Sequence, residues 1–240
     1  MKRMLALFLV LALCSCEKLI EKWQDAIKVP NDDCQIREVS FDRVIDGVPS
    51  KKTISFTYND KGNPDWCEIT YINPQGYDYG GEIYFSYDDQ NRLISYENNT
   101  HTSTTYQYNG NERLPVSDIT IHYYQPFYKE NLFYDMKGRI IKVSGKFYED
   151  YWNNEGAVQE YTLDYKYDER GNLVRDGYTY DSSRSILQTN SVWMLAARDW
   201  SVNNSIHATA LNDHNLPVKF PRGDFFGHTD QNMSVLWQCK

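Results

Sequence analysis

The sequence is poor in the residues that would announce chemistry. It has only 5 cysteines and 5 histidines in 240 residues. No C-x-x-C pair occurs, and His101, His122, His207, His214 and His228 lack ligand-like spacing, so no metal centre is indicated. A nucleophile elbow, a zinc-protease helix, a phosphate loop and a dinucleotide fingerprint are all missing, and with them any catalytic residue or cofactor to assign. Positive charge is scarce too, with 25 basic residues against 33 acidic ones. An acidic body offers no field for phosphate backbones, so nucleic acid is not an expected partner. The one long apolar run, Met4 to Leu13, is too short for a membrane span, which needs about 20 such residues.

That run is instead the centre of an export signal. Lys2 and Arg3 precede it, and "LCSC" at Leu13 to Cys16 follows. The latter resembles the lipobox of bacterial lipoproteins. The resemblance implies a signal peptide over 1–15, cleavage after Ser15, and lipidation of Cys16. Several acyl chains, each contributing about 0.8 kcal/mol per buried CH₂, would hold the protein on a membrane. An outer-membrane, lipid-anchored placement is expected; Glu17 and Lys18 form no acidic cluster that would choose between the periplasmic face and the cell surface. Loss of Lys2 and Arg3 with the signal leaves 23 basic residues against 33 acidic, a net charge of −10. Cys34, Cys67 and Cys239 then remain, enough for one internal disulfide whose partners the sequence does not choose.

Residues 16–33 form the tether after the lipid. Within it Leu19, Trp23, Ala26 and Ile27 sit at helical spacing, and Pro30 closes a short N-terminal helix. From Cys34 to the end, 34–240, a single domain is expected. Here the period is two. Ile54, Phe56 and Tyr58 alternate with Thr and Ser; Ile83, Phe85 and Tyr87 alternate with Glu82, Tyr84 and Ser86; and Tyr161, Leu163, Tyr165 and Tyr167 alternate with Glu160, Thr162, Asp164 and Lys166. Such alternation on aromatic and β-branched residues predicts strands with one buried face.

A repeat punctuates the strands: "FTYNDKGNP" from 56, "FSYDDQNRL" from 85, "YQYNGNERL" from 106, "LFYDMKGRI" from 132 and "YKYDERGNL" from 165. "ALNDHNLPV" from 210 reads as a degenerate sixth copy. Asp or Asn after the tyrosine, then Gly or Asn three residues later, is the chemistry of a type I turn closed by a left-handed residue. Tyr165 and Tyr167 are expected to face inward, with Leu93, Leu114, Ile140 and Leu173 on the same side. The second tyrosines stand 29, 21, 26 and 33 residues apart, which excludes a strict solenoid and suits a meander. The expectation is all-β: one antiparallel up-and-down meander of about 12–15 strands, closed or nearly closed into a barrel, with two packed sheets as the alternative.

The Tyr-Asp-x-x-Gly-x-Leu pattern resembles the YD repeat of RHS-type bacterial surface and toxin shells. Together with the lipobox it is similar to a domain-of-unknown-function family of small lipoproteins from gut-commensal Gram-negative bacteria. That resemblance implies a porin-like fold and no catalytic residues. It covers about residues 34–180, and "YNGNERL" departs from the pattern by displacing Gly110. The polar strands and the ending "WQCK" speak against a pore in the bilayer.

Candidate contacts are aromatic. Trp66, Tyr77 and Tyr79 lie in or beside one irregular loop, and Tyr151 and Trp152 in another. Their flat faces and polar handles suit sugars and protein partners. His122 alternates with Ile121 and Tyr123 and is expected to point outward. The function expected is a non-enzymatic, membrane-anchored envelope lipoprotein that binds a glycan or peptide. A structural or assembly lipoprotein contacting envelope proteins is the alternative, and a hydrolase the second.

Overall fold

The computed structural model describes residues 34–45, 47–72, 80–99, 101–148, 158–225 and 228–239. The signal, Cys16 and the expected tether helix lie outside them. Thirteen strands form one antiparallel sheet, in accord with the meander expected from sequence. They are β1 (Cys34–Ile45), β2 (Val48–Tyr58), β3 (Pro64–Ile72), β4 (Gly81–Tyr87), β5 (Leu93–Asn98), β6 (Thr102–Tyr108), β7 (Pro115–His122), β8 (Gln125–Tyr134), β9 (Ile140–Tyr148), β10 (Val158–Asp164), β11 (Ala210–Leu211), β12 (Pro217–Phe225) and β13 (His228–Cys239). Neighbours in sequence are neighbours in space, except that β10 and β11 stand at opposite edges and β13 returns to pair with β1, giving the order β10 down to β1, then β13, β12, β11.

The sheet is open rather than closed. Its terminal strands β10 and β11 are not paired with each other, and residues 165–209 run between them. That segment contains the helix α1 (Ser191–Ala197), which sequence reading passed over. Its side chains Val192, Trp193, Met194 and Leu195 are all buried. Trp193 meets Phe56 of β2 at 5.2 Å, Phe85 of β4 at 5.9 Å and Phe225 of β12 at 5.5 Å between ring centroids, each edge to face. Contact with strands so far apart in the order requires the sheet to curl around the helix. α1 supplies an apolar filling that a barrel would otherwise draw from its own walls. The remainder of the crossing segment is held by polar bonds: the Asp181 carboxylate accepts from the Ser183 and Ala208 amides, both at 3.1 Å, and from the Ser183 hydroxyl at 2.6 Å.

The two ends of the sheet are built differently. At the end where β2 meets β3, β4 meets β5 and β8 meets β9, the repeat forms its turns. Asn59, Asp88 and Asp135 each accept two downstream amides on one side-chain oxygen, at 2.8–3.0 Å. Gly62, Asn91 and Gly138 take the left-handed position. The degenerate sixth copy does the same with Asn212 and Asn215. In the departing copy Gly110 is left-handed, and the returning strand starts one residue late, at Pro115.

The repeat's second tyrosine has a further duty. Its hydroxyl donates to the carbonyl that opens the previous returning strand: Tyr87 to Pro64 at 2.6 Å, Tyr108 to Leu93 at 2.8 Å, Tyr134 to Pro115 at 2.9 Å and Tyr167 to Ile140 at 3.2 Å. Tyr58 begins the ladder on Ile36 at 2.7 Å, and Trp237 continues it with its indole N–H on Pro217 at 2.8 Å. Arg92 and Arg139 cover the next tyrosine rings, Tyr108 and Tyr167, at 4.3 and 4.1 Å. Here the chain is also fastened end to end, because Cys34 and Cys239 pair across β1 and β13 and form a disulfide, leaving Cys67 as a buried free thiol.

Candidate functional site

The opposite end, where connections range from two residues to nine, opens onto the inside of the curled sheet. A cavity of about 730 Å³ lies there above α1. Its walls include Arg43, Lys52, Tyr71, Gly81, Asn98 and Thr102 from the loop-end positions of β1–β6. The crossing segment adds Arg175, Tyr178, Asp199 and Ile206, and the floor is Trp193, Ala196 and Ala197 of α1 with Phe225. The placement follows from the strand period. Lys52 shares the inward face with Ile54 and Phe56, and Tyr71 with Cys67 and Ile69; as the apolar core ends, the same face continues in polar and aromatic residues. Arg43 stands over the Tyr71 ring at 5.3 Å, and Arg175 stands over Tyr178 at 5.6 Å while pairing with Asp199 at 3.7 Å. The cavity thus offers flat apolar faces edged by charge, the mixed lining typical of sites for small amphiphilic ligands.

Beside the cavity floor, Arg198 fastens the helix to the far wall. It ends α1 in the left-handed conformation, φ 51°, which turns its side chain away from the helix axis toward β7 and β8. The guanidinium bonds Glu130 through both terminal nitrogens, and Asp118 at 3.1 Å. Tyr161 donates its hydroxyl to the same Glu130 carboxylate. Asp118 and Glu130 are directly opposed on β7 and β8, and Glu130, Gly145 and Tyr161 continue that row across β9 and β10. Gly145 makes the row possible: a Cβ there would stand 2.5 Å from the Lys129 carbonyl and 2.8 Å from Glu130 Cγ. A missing side chain on β9 lets Tyr161 reach over it.

Two carboxyls so close in a dry setting do not share charge equally. Burial, the neighbouring Glu130 charge and the hydrogen bond to it raise Asp118 to about 7 against the pull of Arg198. Burial also acts against Glu130, but the bonds from Arg198, Tyr161 and Asp118 prevail and hold it below the usual carboxylate range. Arg198 thus faces two buried carboxyls whose proton affinities are driven apart, Asp118 upward and Glu130 downward. Asp118 and Glu130 were not singled out in the sequence, where each occupies an ordinary alternating position. The signal available was Gly145 within "KVSGKFY", since glycine inside a strand marks a close approach.

The sequence candidates fare unevenly. Trp66 is half-buried on the outer face of β3, opposite Tyr84, and does not reach the cavity. Tyr77, Tyr79, Tyr151 and Trp152 lie outside the described residues, as does the lipid-attachment candidate Cys16. Gly80 and Gly81, the residues after the first of those loops, line the cavity. His122 corrects the outward expectation. It shares the inward face with Asp118, and its Nδ1 lies 2.7 Å from the Thr102 hydroxyl. Among the described residues the one cluster with metal-ligand proximity is Cys34, His214 and Cys239, and its two sulfurs are consumed by the disulfide.

No family model and no curated protein matches the chain. Among solved structures it is similar to a porin-like protein from Bacteroides uniformis ATCC 8492, with a TM-score of 0.53 and 12% identity over 85% of this chain and 96% of the other. It also aligns with chains of a TcdB2-TccC3-Cdc42 structure and of a Photorhabdus luminescens Tc holotoxin pore, each at TM-score 0.29 and 14% identity over 9% of their length. The first likeness establishes a shared fold, one antiparallel meander.

Proposed function

We propose that the protein is a membrane-anchored, non-enzymatic envelope lipoprotein that binds a small glycan or peptide in the loop-end cavity. The observation that carries this reading is the 730 Å³ cavity itself, closed below by α1 and edged by Tyr71, Tyr96, Tyr178 and three cationic side chains. Tyr71 and Tyr96 on the inward strand face and Tyr178 of the crossing segment join the loop aromatics expected from sequence in this reading. Cys16 supplies the anchor in this reading, and the lipobox resemblance supports it. On β2 and β6 the outward positions Thr53, Ser55, Thr57, Ser103, Thr105 and Gln107 are polar. Occupation of the Asp118–Glu130 pair by Arg198 favours binding over hydrolysis.

Titration of the full chain in detergent micelles with defined oligosaccharides and peptides, followed by tryptophan fluorescence, tests the reading. Trp193 in the cavity floor supplies the signal. Ala197→Trp fills the cavity from an exposed helix position, and abolished binding with an unchanged circular dichroism spectrum is expected. Undiminished binding would contradict the cavity assignment. The second reading, an assembly lipoprotein, draws on the β10 edge, which has no strand on its far side and exposes Val158 and Leu163. One specific crosslinked envelope protein, with no ligand in the cavity, would favour it.

A further inference from the structure

Left-handed backbone is distributed in an unexpected way among the described residues. At the turn end it falls on glycine and asparagine, which tolerate it. At the loop end it falls on Gly47, but also on His101 (φ 62°), Tyr123 (φ 43°) and Tyr124 (φ 71°). The two tyrosines form the whole connection between β7 and β8, with His122 paired to Gln125. Two successive left-handed residues make the hairpin turn that favours Asn-Gly, because a Cβ in this region crowds the following carbonyl. Bulky side chains here are strained, and strain of that kind gathers where a site has a use for it.

Burial does not explain them, since Tyr124 is 75% exposed and Tyr123 47%. What the turn gains is a fixed aromatic surface. The Tyr124 hydroxyl and His101 Nδ1 are 3.0 Å apart, and their ring centroids 5.0 Å. The Tyr123 amide donates to the His101 carbonyl at 2.9 Å, tying the two neighbouring turns together. His122 supports Tyr123 edge-on at 4.6 Å and is held by the Thr102 hydroxyl, and Thr102 lines the cavity. Thr102 is thus the link between the platform and the cavity wall.

We propose that His101, Tyr123 and Tyr124 form the outer subsite of a saccharide-binding site, stacking one pyranose ring of an oligosaccharide whose adjoining unit enters the cavity. The proposal rests on the cavity being the ligand site. A pyranose presents apolar C–H groups on its faces and hydroxyls around its rim. A phenol ring bordered by a hydroxyl and an imidazole matches both. A peptide adding along this turn would need free backbone donors, and the Tyr123 amide is already engaged.

Isothermal titration of the full chain in detergent micelles with defined oligosaccharides of increasing length, from single pyranose units upward, tests it. Affinity should rise once the ligand extends beyond the cavity. Tyr124→Ala should weaken the longer ligands about tenfold and leave the shortest bound ligand unchanged. A paired variant, Tyr123→Asn with Tyr124→Gly, should lose the same length dependence while raising Tm by roughly 2–4 °C, since it relieves the strain. Longer ligands bound equally well by Tyr124→Ala would overturn the platform, and so would a fall in Tm for the paired variant. Wild-type protein that binds no saccharide of any length would sink the sugar reading of the cavity as well. Binding lost in Ala197→Trp but indifferent to both turn variants would sink the platform alone.

Discussion

The turn end and the loop end of this sheet solve the same geometric problem with different residues. Both must reverse the chain between antiparallel strands. The turn end does so with one formula at β2–β3, β4–β5, β8–β9 and β11–β12: an Asx side chain that takes up the free amides and a glycine or asparagine in the left-handed position, backed by a ladder of tyrosines and one tryptophan bonded to the strand behind. The loop end follows no formula, and at Tyr123 and Tyr124 it accepts a strained turn. The difference teaches where to look for function. A repeated motif reports what the scaffold requires of every copy, so freedom to specialise is left to the connections it does not govern.

The comparison predicts that damage to the turn end should cost stability and damage to the loop end should cost binding. The largest effect belongs to the Cys34–Cys239 disulfide. It closes a separation of 205 residues at the turn end, and removing it should lose on the order of 5 kcal/mol, read from urea unfolding with and without reductant. Next comes the Arg198 joint beneath the cavity. Arg198→Met leaves Asp118 and Glu130 buried without their cation and should lose about 3–5 kcal/mol in the same assay.

How far the sequence foretold this contrast depends on how local each signal is. The strands and turns were readable because alternation and Asx-x-x-Gly act within a few residues, and the burial of Ile54 and Phe56 or Ile83 and Phe85 follows that alternation. The sixth turn was readable even in degenerate form. Helix α1 was not, because "SVWMLAA" is only seven residues long and apolar on most sides, so it carries no amphipathic period. Arg198 and its carboxylates are 80 and 68 residues apart, a pairing set by the curl of the sheet rather than by any short pattern. The cavity likewise exists only where strands distant in sequence converge.

A subtler test concerns protons. Asp118 is raised in the folded state to about 7, so its contribution favours folding below the ordinary carboxylate range and is lost as pH rises through about 7. Glu130 is lowered, and its contribution disappears instead as pH falls through its depressed range. Unfolding midpoints should therefore decline as pH rises from the ordinary carboxylate range to about 7, and level off above that. Asp118→Asn, which fixes the neutral form, should flatten that decline. The smallest effect is one rung of the ladder: Tyr87→Phe should lose about 1 kcal/mol and leave ligand affinity unchanged.

The division between a structural end and a binding end is tested most directly by amide hydrogen exchange on the full chain, with and without a saturating oligosaccharide. New protection is predicted around Lys52, Asn98, Thr102 and the Tyr123–Tyr124 turn, with none at residues 59–63, 88–92 and 135–139. Protection centred on those Asx turns, with the loop end unchanged, would contradict it.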